Sequence, residues 1–289
     1  MRVACVGEAM IELSMKGQTA QVGVAGDTLN TAIYLKRAAP DLTVDYITCL
    51  GDDPFSAQIS DFIAAQDIGC GNIRTIDGKS PGLYAITTNE QGERAFTYWR
   101  NASAARLMFQ QNEAYDFSVL AEYDVVYLSG ITLAILPQDV RLALIEWIKT
   151  TDARVAYDSN YRPKLWENPA TAQKITRAFW SVADIALPSI DDEMALFDES
   201  EDTVAARFAT GTTKGALKRG DMGPLSLGET IEQSYSSAPN VVDTTAAGDS
   251  FNGGYLGAFL SGRSQKDALM AGHDCAARVV QHRGAIIPK

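Results

Sequence analysis

This sequence predicts an α/β fold around a mostly parallel sheet, on three observations. Short apolar, strand-like runs alternate with amphipathic helical stretches along the whole chain. No Pro/Gly/Ser-rich linker and no internal repeat divides it. The 289 residues, 46% of them apolar, suffice for one large core. Strands alternating with helices make βαβ units, whose parallel sheet is covered on both faces. The chain is therefore read as a single domain, 1–289.

The elements follow in order. Residues 3–6 read as the first strand and 27–37 as the first helix. A strand over 44–50 precedes a helix over 54–66, with Pro54 suited to a first helical turn. Further strands are expected at 125–128, 155–157 and 185–187. Helices are expected at 137–149, 170–182 and 202–209, and two apolar-rich helices, 248–260 and 265–281, close the chain. One segment breaks the rhythm. Residues 83–88 and 95–99 are β-rich runs around the polar connection Asn89-Glu90-Gln91-Gly92-Glu93, which reads as a β-hairpin. A hairpin inserted in an α/β chain serves as a lid, an oligomer contact or surface decoration.

Composition removes several function classes. A net charge of −11 argues against nonspecific nucleic-acid binding and against anionic membrane surfaces. A few local cations can still hold an anionic small ligand. No run of eighteen apolar residues is present, and Met1–Gly7 reads as a strand rather than a signal peptide, so a cytoplasmic protein is expected. Cys5, Cys49, Cys70 and Cys275 form no CxxC pair and read as reduced thiols. His273 and His282 lack zinc-ligand spacing.

The most informative stretch is Asp243-Thr244-Thr245-Ala246-Ala247-Gly248-Asp249-Ser250-Phe251-Asn252-Gly253-Gly254, after a strand-like Val241-Val242. Small residues let backbone amides approach a ligand, and a helix start presents unpaired N–H groups. An anion can sit against Ala246, Ala247 and Gly248. Alanine suits position 246 if its φ is negative. Asp249, at the same helix start, is either a cap or a general base beside a phosphate. Gly253-Gly254 weakens a helix, which points to a close neighbour: a ligand, another backbone or a tightly packed helix. Neither GxxxxGK[ST] nor GxGxxG occurs, so a P-loop enzyme and a nicotinamide oxidoreductase are both disfavoured. Ala25-Gly26-Asp27-Thr28-Leu29-Asn30 opens the first helix.

Residues 243–254 resemble the DTxGAGD signature of the ribokinase-like (PfkB) carbohydrate kinases, and 25–32 resemble their GGxxxN signature. Further segments, including Pro81-Gly82-Leu83-Tyr84, Tyr98-Trp99-Arg100-Asn101 and Asn160-Tyr161-Arg162-Pro163, resemble the family branch that acts on 2-keto-3-deoxygluconate. The resemblance implies a three-layer sandwich with a small β-lid, mainly within 81–100. It implies ATP and Mg²⁺, Asp249 as base, and a sugar acid bound by Gly26, Asp27, Asn30, Tyr84, Tyr98, Arg100 and Arg162. The two arginines are candidates for the acceptor's carboxylate, which guanidinium can bind in two-pronged fashion. Nucleotide contacts fall on Lys218, Gly220, Gly223 and His273. Glu193 is the candidate for magnesium, and Asp243 and Thr245 for a monovalent cation such as K⁺. Ala25 and Ile190 depart from the family pattern. Apolar lid residues such as Phe96 suit a contact between copies of the chain. The rival readings are a kinase for fructose, ribose or a nucleoside, and a sugar-acid sensor without catalysis.

Overall fold

The computed structural model describes residues 1–88, 94–111, 114–211 and 213–289. Its centre is a seven-stranded sheet. In spatial order the strands are Leu225–Leu227, Lys214–Leu217, Ile185–Ala186, Arg154–Asp158, Val125–Ser129, Arg2–Val6 and Thr43–Ile47. All neighbours run parallel except Leu225–Leu227, which is antiparallel to Lys214–Leu217. The chain starts in the sheet interior, adds a strand on one side, then crosses back and builds the other side. The strand order therefore reverses between Arg2–Val6 and Val125–Ser129, and ligands of open α/β sheets bind outside the carboxyl ends at such a point.

Alternation along each strand makes the three layers. Val3, Cys5, Val125, Tyr127 and Ala156 enter one core, with Leu29, Ile33, Phe251, Tyr255 and Leu269 from the helices Asp27–Ala38, Ala247–Leu260 and Gln265–Val279. Ala4, Val6, Val126, Leu128 and Tyr157 enter the other, with Leu133, Leu144, Ile175 and Phe179. Successive strand side chains point to opposite faces, so each buried strand supplies both cores. The helix Pro54–Ala65 starts as expected, with Pro54 in the first turn and the Asp53 carboxylate capping the amides of Phe55 and Ser56. All four cysteines are thiols.

The lid is larger than the sequence suggested. Gly82–Thr88 and Arg94–Trp99 are antiparallel strands, and the connection 89–93 lies outside the described residues. Two further strands, Met10–Lys16 and Thr19–Ala25, complete a four-stranded sheet, with Met10–Lys16 parallel to Gly82–Thr88. The 10–25 run mixes Glu, Ser, Lys, Thr and Gln into its alternation, which hid it. Val241-Val242, expected as a strand, belongs to none. Both side chains are exposed, and the segment is tied by Val242 and Asp243 amides donating to the carbonyl of Val280. Two valines are too few to fix a strand without a neighbouring edge to pair with.

Candidate active site

A cavity of about 1230 Å³ opens at the carboxyl ends of the sheet strands. The lid contributes Tyr84, Phe96, Tyr98 and Arg100 to its wall. The first helix gives Gly26, Asp27 and Asn30, and the strand ends give Asp158, Asn160, Arg162 and Lys218. The stretch Thr244–Asp249 closes one side, and His273 comes from the last helix. Chain segments far apart in sequence thus meet where the strand order reverses.

The anion cradle forms with a correction at its first residue. The helix Ala247–Leu260 starts after Ala246, whose φ is +60° rather than negative. A left-handed alanine costs roughly 1–2 kcal/mol, because its Cβ crowds the following carbonyl. The turn holds because Ala246 still accepts the first helical bond, from the Ser250 amide at 2.8 Å. Gly253 and Gly254 do not line the cavity. A Cβ on Gly253 would meet Tyr34 Cβ at 2.5 Å, and one on Gly254 the Ala271 carbonyl at 2.6 Å. They are there so that the helices Asp27–Ala38 and Gln265–Val279 can press against the cradle helix.

Asp249 sits in the first turn of that helix. Its Oδ2 accepts from Asn30 Nδ2 at 2.8 Å. Burial raises its carboxyl well above the ordinary carboxylate range, and the charges of Asp27 and Asp158 push the same way. The Asn30 bond and Lys218 pull back. A carboxylate so placed takes a proton more readily than an exposed one, as a general base requires. Lys218 Nζ ion-pairs Asp158 at 2.8 Å and lies near the cradle, 3.8 Å from where a Gly248 Cβ would be.

At the lid, Tyr84 and Tyr98 are cross-strand partners with rings 5.4 Å apart. The Tyr84 hydroxyl donates to Glu12, and burial beside that carboxylate keeps it protonated. The arginines differ sharply. Arg100 is 6% exposed and ion-pairs the buried Glu8, while its Nε has no partner. The Arg162 side chain is 53% exposed and lies 3.3 Å from Asp192. Gly26 is required by close approach, since a Cβ there would strike the Glu8 carbonyl at 2.4 Å. The Asp27 carboxylate accepts from Asn160 Nδ2 at 2.8 Å.

Two expectations meet a different geometry. Glu193 does not line the cavity. It is fully buried, accepting from Trp180 at 3.1 Å and from Arg207 at 3.0 Å, which leaves it turned away from any phosphate. Its helical neighbours Asp191 and Asp192 line the cavity instead. Gly223 also falls outside the wall and packs on the Tyr235 ring, whereas Gly220 lines it. His273 lines the cavity and is buried. It donates to the Ser236 carbonyl at 2.8 Å and lies 4.9 Å from the Tyr235 ring. Asp243 has a structural employment. Its Oδ1 accepts from the Thr245 amide and hydroxyl, and its Oδ2 from the Gly284 amide.

Sequence reasoning missed Asp158, Asn160 and Glu8 as site residues. The available signal was position: Asp158 ends a central strand, and Glu8 follows the first one by two residues.

A switch-point cavity, an anion cradle, a half-buried carboxylate at its mouth and a β-lid together define a phosphotransferase acting on small alcohols. The chain belongs to the pfkB family of carbohydrate kinases, whose model matches residues 1–289. It is 42% identical to the 2-dehydro-3-deoxygluconokinase of Dickeya dadantii, over 99% of this chain and 96% of that protein. It is 40% identical to the protein of the same name from Escherichia coli K12, over 100% of this chain and 97% of the relative. Among solved structures, the PfkB protein from Polaromonas sp. JS666 superposes with a TM-score of 0.82 at 24% identity, over 97% of this chain and 95% of that one.

Proposed function

We propose that this protein transfers the γ-phosphoryl group of ATP to the 6-hydroxyl of 2-keto-3-deoxygluconate, the same compound as 2-dehydro-3-deoxygluconate. The products are 2-keto-3-deoxy-6-phosphogluconate and ADP. The observation that carries this reading is the Asp249 carboxylate at the mouth of the cradle, in a cavity that also presents Arg100 and Arg162. Full-length likeness to kinases named for this acceptor supports it.

In this reading, Asn30 holds the Asp249 carboxylate in place. Asp249 orients the acceptor hydroxyl and takes its proton as the oxygen attacks phosphorus. The Gly248 amide, with Ala246 and Ala247 shaping the turn, faces the negative charge that develops on the phosphoryl oxygens, while the Ala247 amide is held by the Thr244 carbonyl at 3.2 Å. Lys218 adds a cation beside them. Arg162 leaves Asp192 for the acceptor's carboxylate, and Arg100, anchored by Glu8, adds a second positive charge to the same wall. Tyr84, Phe96 and Tyr98 cover the sugar and exclude water, which limits wasteful ATP hydrolysis. Gly220 and His273 line the part of the wall assigned to the nucleotide.

Magnesium arrives mostly through ATP phosphates, with one or two protein carboxylates. Asp191 and Asp192 fit that pattern and Glu193 does not. When bound, the ion neutralises phosphate charge. Asp243 and Thr245 remain the residues proposed for a monovalent cation such as K⁺; the bonds Asp243 accepts from Thr245 and Gly284 fix its carboxylate in place.

The test is turnover by the purified protein with ATP and magnesium on 2-keto-3-deoxygluconate, fructose, ribose and adenosine. The expected result is a kcat/KM for the sugar acid at least about tenfold above every neutral acceptor, the discrimination a hydrogen-bonding site imposes on ligands that leave its polar groups unpaired. Arg162→Ala should raise KM for the sugar acid alone. Preference for fructose or ribose overturns the acceptor; binding without turnover overturns the kinase activity.

A further inference from the structure

Below the cavity wall lies a residue that the mechanism above does not use. Asn252 is on the cradle helix, three residues after Asp249, and is fully buried. It does not line the cavity. Its Nδ2 donates to Asp158 Oδ2 at 2.7 Å and to the Tyr127 hydroxyl at 3.0 Å. Its Oδ1 accepts from Lys218 Nζ at 3.1 Å. Lys218 Nζ also donates to Asp158 Oδ1 at 2.8 Å. Asn252, Asp158 and Lys218 form a closed triangle in which each is bonded to the other two. Lys218 and Asp158 both line the cavity, so the one hidden corner fixes two that are not.

A lysine ammonium is a compact charge on a flexible four-carbon stem with three donors. Asp158 alone would draw it onto the carboxylate and leave its position along the stem loosely set. The neutral carbonyl of Asn252 gives it a second fixed anchor without adding negative charge. Two of the three ammonium protons are then used, and the third remains for a ligand at the start of the cradle helix. The Asn252 amide also reaches Tyr127, whose hydroxyl lies 3.2 Å from Thr31 Oγ1, itself 3.2 Å from the Asp249 carbonyl. The same residue thus ties the phosphate-side cation to the turn that carries the base.

We infer that Asn252 is a positioning residue for nucleotide binding, which sets the Lys218 ammonium against the phosphates held by the cradle. The inference rests on the phosphate assignment proposed above and not on the identity of the acceptor.

The experiment compares wild type, Asn252→Asp, Asn252→Ser, Lys218→Met and the double variant Lys218→Met/Asn252→Asp, after thermal melts identify those that fold. Calorimetric titration with the magnesium complex of a non-hydrolysable ATP analogue gives Kd without any acceptor. Steady-state kinetics give KM for ATP and for 2-keto-3-deoxygluconate. Asn252→Asp sets a second carboxylate beside Asp158, so Kd and KM for ATP should rise at least about tenfold while KM for the sugar acid stays within about twofold. Asn252→Ser, which adds no charge, should show the same split more weakly. Because Asn252 acts through Lys218, the double variant should bind no more weakly than Lys218→Met alone. Equal losses for both substrates, unchanged nucleotide affinity in a folded variant, or additive losses in the double variant each overturn the inference. Wild type that binds the analogue but does not phosphorylate the sugar acid overturns the acceptor reading, and the binding comparison still decides the role of Asn252.

Discussion

Replacing Asp249 by asparagine separates what this residue does for chemistry from what it does to the fold. Asparagine matches aspartate in volume, and its carbonyl can go on accepting from Asn30 Nδ2, now 2.8 Å from Oδ2. The site therefore keeps its shape and loses only a proton acceptor. Losing a general base typically costs 10²–10⁴ in rate, and each tenfold is about 1.36 kcal/mol, so the barrier should rise by roughly 3–5 kcal/mol. Stability should move the other way. Burial and the charges of Asp27 and Asp158 raise the Asp249 carboxyl in the folded state. A raised carboxyl holds its proton more tightly when folded than unfolded. Its contribution is thus full below the ordinary carboxylate range and is lost as pH rises through the folded value. The neutral amide of the variant carries no such penalty, so Asp249→Asn should melt no lower than wild type at pH 8. ADP release is measured at saturating ATP and 2-keto-3-deoxygluconate, with melting curves at pH 5 and pH 8. A variant with kcat within tenfold of wild type refutes the base assignment, and a markedly lower Tm at pH 8 refutes the charge reasoning.

Other expectations follow from local geometry. Ala246→Gly removes a strain of roughly 1–2 kcal/mol and adds a chain-entropy cost of about 0.5–1, so the variant should equal wild type or gain about 1 kcal/mol. A clear drop in Tm would show that the alanine methyl is needed there. Gly253→Ala drives a methyl into Tyr34 Cβ and the Leu35 amide, at 2.5 and 2.7 Å, and should destabilise by about 1–3 kcal/mol in denaturant titrations, despite alanine's better helix propensity. Glu193 is pushed up to about 7 by burial, from an ordinary 4.5. Its contribution to stability is full below pH 4.5 and falls away toward pH 7, by up to about 3 kcal/mol at 1.36 per unit. Glu193→Gln should flatten that slope in denaturation midpoints taken between pH 4.5 and 8, and parallel slopes would refute the reasoning.

The elements legible in advance were those whose apolar pattern is strong. The strands and helices that periodicity placed stand within a few residues of their positions in the structure, because burial on both faces leaves an unmistakable run, whereas the short parallel strand Lys214–Leu217 and the helices Gly130–Ile135 and Ile190–Phe197 were not read. The lid strands Met10–Lys16 and Thr19–Ala25 were not legible, because one face is wet and the alternation is broken by charge. Asp249 stood out as a cap or a base through local chemistry, Gly26 and Asn30 through the resemblance to a family signature, and the structure brings the three together. Glu193 misled because three consecutive acids, Asp191, Asp192 and Glu193, differ only in which way the helix turns them, and Arg207 lies fourteen residues further on.

The sequence by itself determined the layer order of an α/β fold, the anion cradle at a helix start and the carboxylate placed to serve it. Those depend on neighbours a few residues apart, where spacing settles which backbone groups are free. Only the tertiary structure decided that Ala246 turns left-handed, that Arg100 is held by Glu8 while Arg162 stays half exposed, and that Asn252 closes a triangle with Asp158 and Lys218. Each of those rests on groups 30 to 94 residues apart or on the crowding of a turn, and no local pattern records which distant side chain will fill a buried polar group's last bond.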